Sequence, residues 1–227
     1  MFGIPAVGQK VVSKTSLSFL AITRRINRTV GQIVDAAHSS HSVNGWKMKT
    51  LESRIAEFVQ SDFTEPVDQA ISNYHKAHLS LICAAKGSSK KHQAWNGGYK
   101  YHIEQCLDIG DTLYAAYNFP FTYRSVFLVL YFHDIEKIFK HVPAVSIDNW
   151  LDEAALAIKQ KEKYYTEFLP EKYDINFSDE ELNALKYIHG EGDDYCDERV
   201  MNELAGLCHA CDVMSARCFH NKRILEK

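Results

Sequence analysis

Seven consecutive apolar residues, Val126-Phe127-Leu128-Val129-Leu130-Tyr131-Phe132, run straight into His133-Asp134. A segment apolar on every side cannot lie on a surface, so the run predicts a helix passing through a core. It is also far shorter than the roughly 20 residues that cross a bilayer. An imidazole and a carboxylate at the end of such a segment are costly to desolvate unless hydrogen bonds or a cation compensate. The fold must supply that compensation beside residue 133.

The remaining pattern is helical. Leu51, Ile55, Phe58 and Val59 share one face, and Val67, Ile71, Tyr74 and His78 continue the period after Pro66. Further helical blocks are expected at about 100–117, 122–141, 147–168, 178–189 and 198–217, separated by turn signals at Asn118-Phe119-Pro120, Pro143, Pro170 and Gly190-Glu191-Gly192. Ser178 with Glu181 three residues on is a capping box. Alternating strand patterns and repeats are nearly absent, which makes the expected fold class all-α.

A chain of 227 residues with 46% hydrophobic and 24% charged residues reads as one soluble domain with extensions. Residues 1–54 carry eight Lys/Arg against two Asp/Glu, and residues 55–227 carry 18 against 27, so a basic arm precedes an acidic body. Residues 1–50 are expected to be a peripheral, mobile extension, and residues 51–227 the folded domain. Nucleic acid is a less favoured partner for the arm than plain solvent, since the charge is modest and lacks interleaved aromatics. The apolar patch Leu17–Ile22 precedes Arg24 and Arg25, the reverse of a secretory signal, and six cysteines are too few for a disulfide scaffold. The expected setting is cytoplasmic, without a membrane partner.

Eleven histidines are an unusual number, and neutral imidazole is a common ligand of transition metals. His102 opens the helix before the apolar run. Placing Val200, Leu204, Leu207, Cys208, Cys211 and Met214 on a buried stripe puts Asp212 at its border, where its carboxylate can enter a pocket between helices. Two imidazoles and two carboxylates would then meet from three helices.

The stretch His92-Gln93-Ala94-Trp95-Asn96-Gly97-Gly98-Tyr99-Lys100-Tyr101-His102, then His133-Asp134-Ile135-Glu136-Lys137, then His209-Ala210-Cys211-Asp212 resembles the ordered signature of the HD-domain metal-dependent phosphohydrolases. The resemblance spans about residues 90–215. It implies an HD-type helical bundle and hydrolysis of a phosphate ester, in a nucleotide or nucleotide-derived signal, as monoesterase or diesterase. It further implies that His102, His133, Asp134 and Asp212 hold a metal. Mixed nitrogen and oxygen donors suit Mn²⁺, Fe²⁺, Co²⁺, Ni²⁺ or Zn²⁺, with Mg²⁺ a further candidate. Asp134, Lys137 and His189 are the expected catalytic residues, and Lys137, His189 and His92 the expected substrate contacts. Lys137 follows His133 by one helical turn, within reach of a phosphate oxygen. His189 ends a helix beside a flexible acidic loop, and His209 and His141 are weaker candidates. Glu136 departs from the family's usual smaller residue.

Two alternatives remain at this point. A non-catalytic nucleotide- or RNA-binding module on the same scaffold would use the basic arm to hold phosphates. Cys208 and Cys211 have a zinc-like spacing, but they fall within an apolar-periodic helix and read as buried thiols. No nucleophile elbow, phosphate-binding glycine loop or dinucleotide fingerprint is present.

Overall fold

The structure, a computed structural model, describes residues 48–60 and 66–219. Of the expected extension over residues 1–50, only 48–50 fall within that range. The described residues are helical, with no strand among them, as the periodicity predicts. They form α1 (Leu51–Gln60), α2 (Pro66–Ala84), α3 (Gly98–Ala116), α4 (Tyr123–Phe132), α5 (Lys137–Lys140), α6 (Leu151–Lys159), α7 (Lys161–Lys163), α8 (Leu169–Tyr173), α9 (Asp179–Tyr187) and α10 (Glu203–Cys218). Among them no helix is long and apolar enough to cross a membrane.

The apolar run becomes α4, and all seven of its residues from Val126 to Phe132 are buried. Burying each such side chain fully contributes roughly 1.5–3 kcal/mol of transfer free energy. Thr122 caps the start of α4 by accepting from the Ser125 amide at 3.3 Å. Helix α10 packs on α3, α4 and α9, so the ends of these four helices meet around the segment that follows Phe132.

That segment departs from the expected single helix over 122–141. After Phe132 the hydrogen bonding tightens from four residues to three, with the Ile135 amide donating to Phe132 O at 3.1 Å and the Lys137 amide to Asp134 O at 2.9 Å. Residues 133–136 are therefore a turn, and the helix resumes only as α5. The carbonyls at the end of α4 still need donors. His133 Nδ1 donates to Leu130 O at 2.8 Å, the Tyr165 hydroxyl to Phe132 O at 2.8 Å and Lys161 Nζ to His133 O at 2.6 Å.

Two other boundaries differ from expectation. The block over 147–168 begins as a 3₁₀ turn (Ala144–Trp150), breaks at Gln160 and then runs past Pro170 to Tyr173. Pro170 does not stop it because a π turn, Tyr164–Phe168, precedes it, with the Leu169 amide bonding back to Tyr164 O. The proline then occupies the first positions of α8, where no amide donor is required. The last helix starts at Glu203 rather than 198, because Asn202 caps it by accepting from the Ala205 amide at 2.8 Å. The Ser178–Glu181 capping box forms as expected.

The Gly97-Gly98 pair sets the entry into α3. Gly97 has φ of 80°, a left-handed conformation open to glycine, and a Cβ on Gly98 would lie 1.8 Å from the Gln93 carbonyl oxygen. The loop therefore folds flat onto the start of α3, and His102 follows one turn inside. By contrast, a Cβ on Gly206, exposed within α10, meets nothing within 4 Å. Gly98→Ala is expected to lower the unfolding midpoint in chemical denaturation markedly, while Gly206→Ala raises stability by about 0.5–1 kcal/mol. Equal effects of the two would contradict the close approach at Gly98.

Candidate metal centre

His102 from α3, His133 and Asp134 from the turn after α4, and Asp212 from α10 converge in the core. His102 Nε2 lies 3.3 Å from His133 Nε2, 3.4 Å from Asp134 Oδ2 and 3.2 Å from Asp212 Oδ1. His133 Nε2 lies 3.3 Å from Asp134 Oδ2 and 3.8 Å from Asp212 Oδ1. Both rings and Asp134 are fully buried, and Asp212 sits at the border of its stripe, as the sequence places it. Met214, expected on that stripe, is exposed instead; Ser215 takes the buried position, one turn after Cys211.

Ser215 fixes the tautomer of His102. Its hydroxyl donates to Gln105 Oε1 at 3.0 Å, so its oxygen accepts from His102 Nδ1 at 2.9 Å. His133 Nδ1 is likewise used on Leu130 O. In both rings the remaining nitrogen, Nε2, therefore faces the other ring and the two carboxylates, and it offers a lone pair there whenever the ring is neutral. Four acceptors in contact need a cation or protons between them. Two ligands at about 2.0–2.1 Å from one tetrahedral ion are about 3.3–3.4 Å apart, close to the spacing of these atoms.

The carboxylates also present their second oxygens to another ring. His189 Nε2 lies 3.4 Å from Asp134 Oδ1 and 3.8 Å from Asp212 Oδ2, with about half of its side chain exposed. Lys137 donates to Asp134 Oδ2, so its ammonium rests on a donor oxygen of the cluster in this structure. His92 is partly buried and donates from Nδ1 to Gln93 Oε1 at 2.7 Å, and His209 donates from Nδ1 to Ile188 O at 2.6 Å. A cavity of about 630 Å³ opens over Asp212, lined by Lys91, His92, His189, His209 and Arg217. That volume is typical of small-ligand sites.

Cys106 belongs to the same neighbourhood, but its Sγ is 3.9 Å from His102 Nδ1 and 3.7 Å from Nε2. Near-equal distances place the sulfur against the flank of the ring rather than along the Nε2 lone pair. Burial pushes this thiol well above its usual range, so it packs as an apolar group. Cys208 and Cys211 are buried in α10, and Cys196 and Cys218 are exposed. Glu136 turns away toward Lys161, 3.6 Å from its Nζ, and His141 lines a separate cavity with Lys86 and Ser89.

Three supporting residues escape the sequence reading. Gln93 is fully buried at φ of 42°, and its amide donates to Ser215 O at 3.1 Å and Phe219 O at 3.2 Å. It ties the loop carrying His92 to the end of α10. Ser215 and Gln105 complete the bracing. Helical spacing from Cys208 and Cys211 marks Ser215, whereas nothing in the sequence marks Gln93.

Electrostatics follow from the convergence. Burial alone would depress the His133 pKa, but Asp134 and Asp212 lift it to about 9. Burial would raise Asp134, but the charge of His133 and the closeness of the His102 and His189 imidazoles hold it well below the usual range; the His102 and His133 rings do the same for Asp212. Burial, with help from Lys137, lowers His92.

Comparison of the chain with protein-family models, curated proteins and solved structures finds no match.

Without metal, the His133 ring carries a proton on Nε2, 3.3 Å from Asp134 Oδ2 and 3.8 Å from Asp212 Oδ1. Because its folded pKa is raised above the ordinary 6.5 to about 9, this pairing stabilises the fold fully below pH 6.5 and is lost as pH rises through about 9. For His133 to serve as a metal ligand, its ring would have to give up that proton. Calorimetric titration of the metal-free protein at about pH 8 is expected to show release of about one proton per ion at this ring, fading well above pH 9. A binding enthalpy independent of the buffer's ionisation enthalpy would contradict this.

Proposed function

We propose that the chain is a metal-dependent phosphohydrolase of the HD type, acting on a phosphate ester in a nucleotide or nucleotide-derived molecule. The observation that carries the reading is the convergence of two imidazole Nε2 atoms and two carboxylates at 3.2–3.8 Å beneath a nitrogen-lined cavity. Neutral imidazoles and carboxylates form a donor set that fits a first-row divalent cation. The chemistry such an ion supplies is Lewis acidity toward a phosphoryl oxygen and toward water.

The chain's own residues do the rest. His102, His133, Asp134 and Asp212 hold the cation, with Ser215 and the Leu130 carbonyl keeping both imidazole lone pairs inward. Lys137 swings from Asp134 to donate to a phosphoryl oxygen, its stem remaining packed on the helix. His189 stands between the carboxylates and the cavity, where its imidazole can pass a proton to the leaving oxygen. His92 lines the cavity as a neutral ring and accepts a hydrogen bond from the substrate.

The second carboxylate oxygens favour one extension of this reading, a second cation between His189, Asp134 Oδ1 and Asp212 Oδ2. Metal analysis distinguishes the two forms: His189→Ala drops the stoichiometry from two to one if the centre is dinuclear and leaves it at one otherwise.

Purified protein reconstituted with Mn²⁺, Fe²⁺, Co²⁺, Ni²⁺, Zn²⁺ or Mg²⁺ is expected to release phosphate from members of a nucleotide panel or to cleave their diesters. Asp134→Ala should lose metal and turnover while keeping its helical circular dichroism. Unchanged metal occupancy in that variant would overturn the ligand assignment. Metal binding with nucleotide affinity but no cleavage of any ester would favour the non-catalytic binding module. Lys137→Ala should retain metal while losing turnover by roughly 10² or more, as removal of an electrostatic stabiliser does elsewhere; near-normal turnover would return Lys137 to a structural ion pair with Asp134.

A further inference from the structure

His189 borders two cavities. One is the nitrogen-lined space over Asp212, and the other, of about 570 Å³, lies between the π turn and α9. The walls of the second differ in chemistry: Tyr165, Leu182 and Leu185 make an apolar floor, Thr166 and the charged or polar Lys161, Glu162, Asn183 and Lys186 surround it, and His189 is shared with the first cavity. Lys161 Nζ lies 5.8 Å from the Tyr165 ring centroid, so the edge combines a cation with an aromatic ring.

The same two residues brace the metal-ligand turn, Tyr165 through Phe132 O and Lys161 through His133 O. The floor of this cavity is thus built on the frame that positions His133 and Asp134. Its volume suits a small organic group rather than a macromolecule. An anionic group favours the nitrogen-lined side of His189, and a flat apolar group the leucine side. We propose that the cavity between the π turn and α9 is the subsite for the base of a nucleotide whose phosphate sits at the metal centre. This rests on the phosphohydrolase reading for where the phosphate goes, but not on hydrolysis taking place.

Calorimetry on the metal-loaded protein tests it with adenosine 5′-monophosphate, guanosine 5′-monophosphate and ribose 5-phosphate, which has the same sugar and phosphate without a base. The base is expected to raise affinity roughly tenfold or more, the scale on which filling an apolar pocket discriminates between ligands. Thr166→Trp, at an exposed position of the π turn, fills the cavity and collapses that preference toward one; Leu182→Glu does so by placing a charge on the floor. Equal affinity for ribose 5-phosphate and the nucleotides overturns the subsite, as does no binding of any of them, or a preference that survives both substitutions. Base-dependent affinity with no phosphate released under any metal keeps the subsite and overturns hydrolysis of these monoesters. Equal affinity with phosphate released from all three esters keeps hydrolysis and overturns the subsite.

Discussion

Two imidazole lone pairs and two carboxylates held in mutual contact inside a protein repel one another until a positive charge joins them. A buried carboxylate stripped of water and left unpaired is among the most expensive groups a fold can carry. Here the nearest atoms of Asp134 and Asp212 lie 3.2–3.8 Å from both His102 Nε2 and His133 Nε2, and the outward nitrogens of both rings are already committed elsewhere. The Lys137 ammonium on Asp134 and a proton at His133 satisfy the cluster in part, and a divalent cation would satisfy it fully. The rest of the arrangement follows from that demand.

The bracing makes the demand permanent. If the rings could rotate, each could turn a donor inward and neutralise the cluster without any ion. Ser215, backed by Gln105 and Gln93, prevents this for His102, and the carbonyl exposed where α4 tightens into a turn prevents it for His133. The turn itself is secured by Tyr165 and Lys161 from the neighbouring segment. Such partners matter in metal sites because they fix tautomer and aim as well as position. Removing one is expected to loosen the site without unfolding the bundle.

Several of these features are legible in the sequence because they follow from local chemistry. An apolar run closed by His-Asp requires a buried helix with a polar terminus, helical periodicity places Asp212 at the edge of a stripe, and Ser178–Glu181 announces a helix start. Other features depend on partners distant in the chain. The break after Phe132 is decided by donors at Tyr165 and Lys161, which no pattern within 122–141 reveals. Helix continuation through Pro170 depends on a π turn that relocates the missing amide. Ser215 replaces Met214 on the buried face because it has a partner in His102, and Gln93 adopts a left-handed backbone to reach the end of α10. The many histidines also divide by context: His75 and His78 are buried in α2 against the Tyr131 hydroxyl and the Tyr74 carbonyl, away from the cluster.

The central claim is that the four converging donors bind a single ion between them. Anomalous diffraction from crystals of metal-loaded protein, recorded at the absorption edge of the bound metal, locates that ion directly. The account places a peak in coordination contact with His102, His133, Asp134 and Asp212. An anomalous map without a peak there, or with metal bound only at exposed residues, would contradict it.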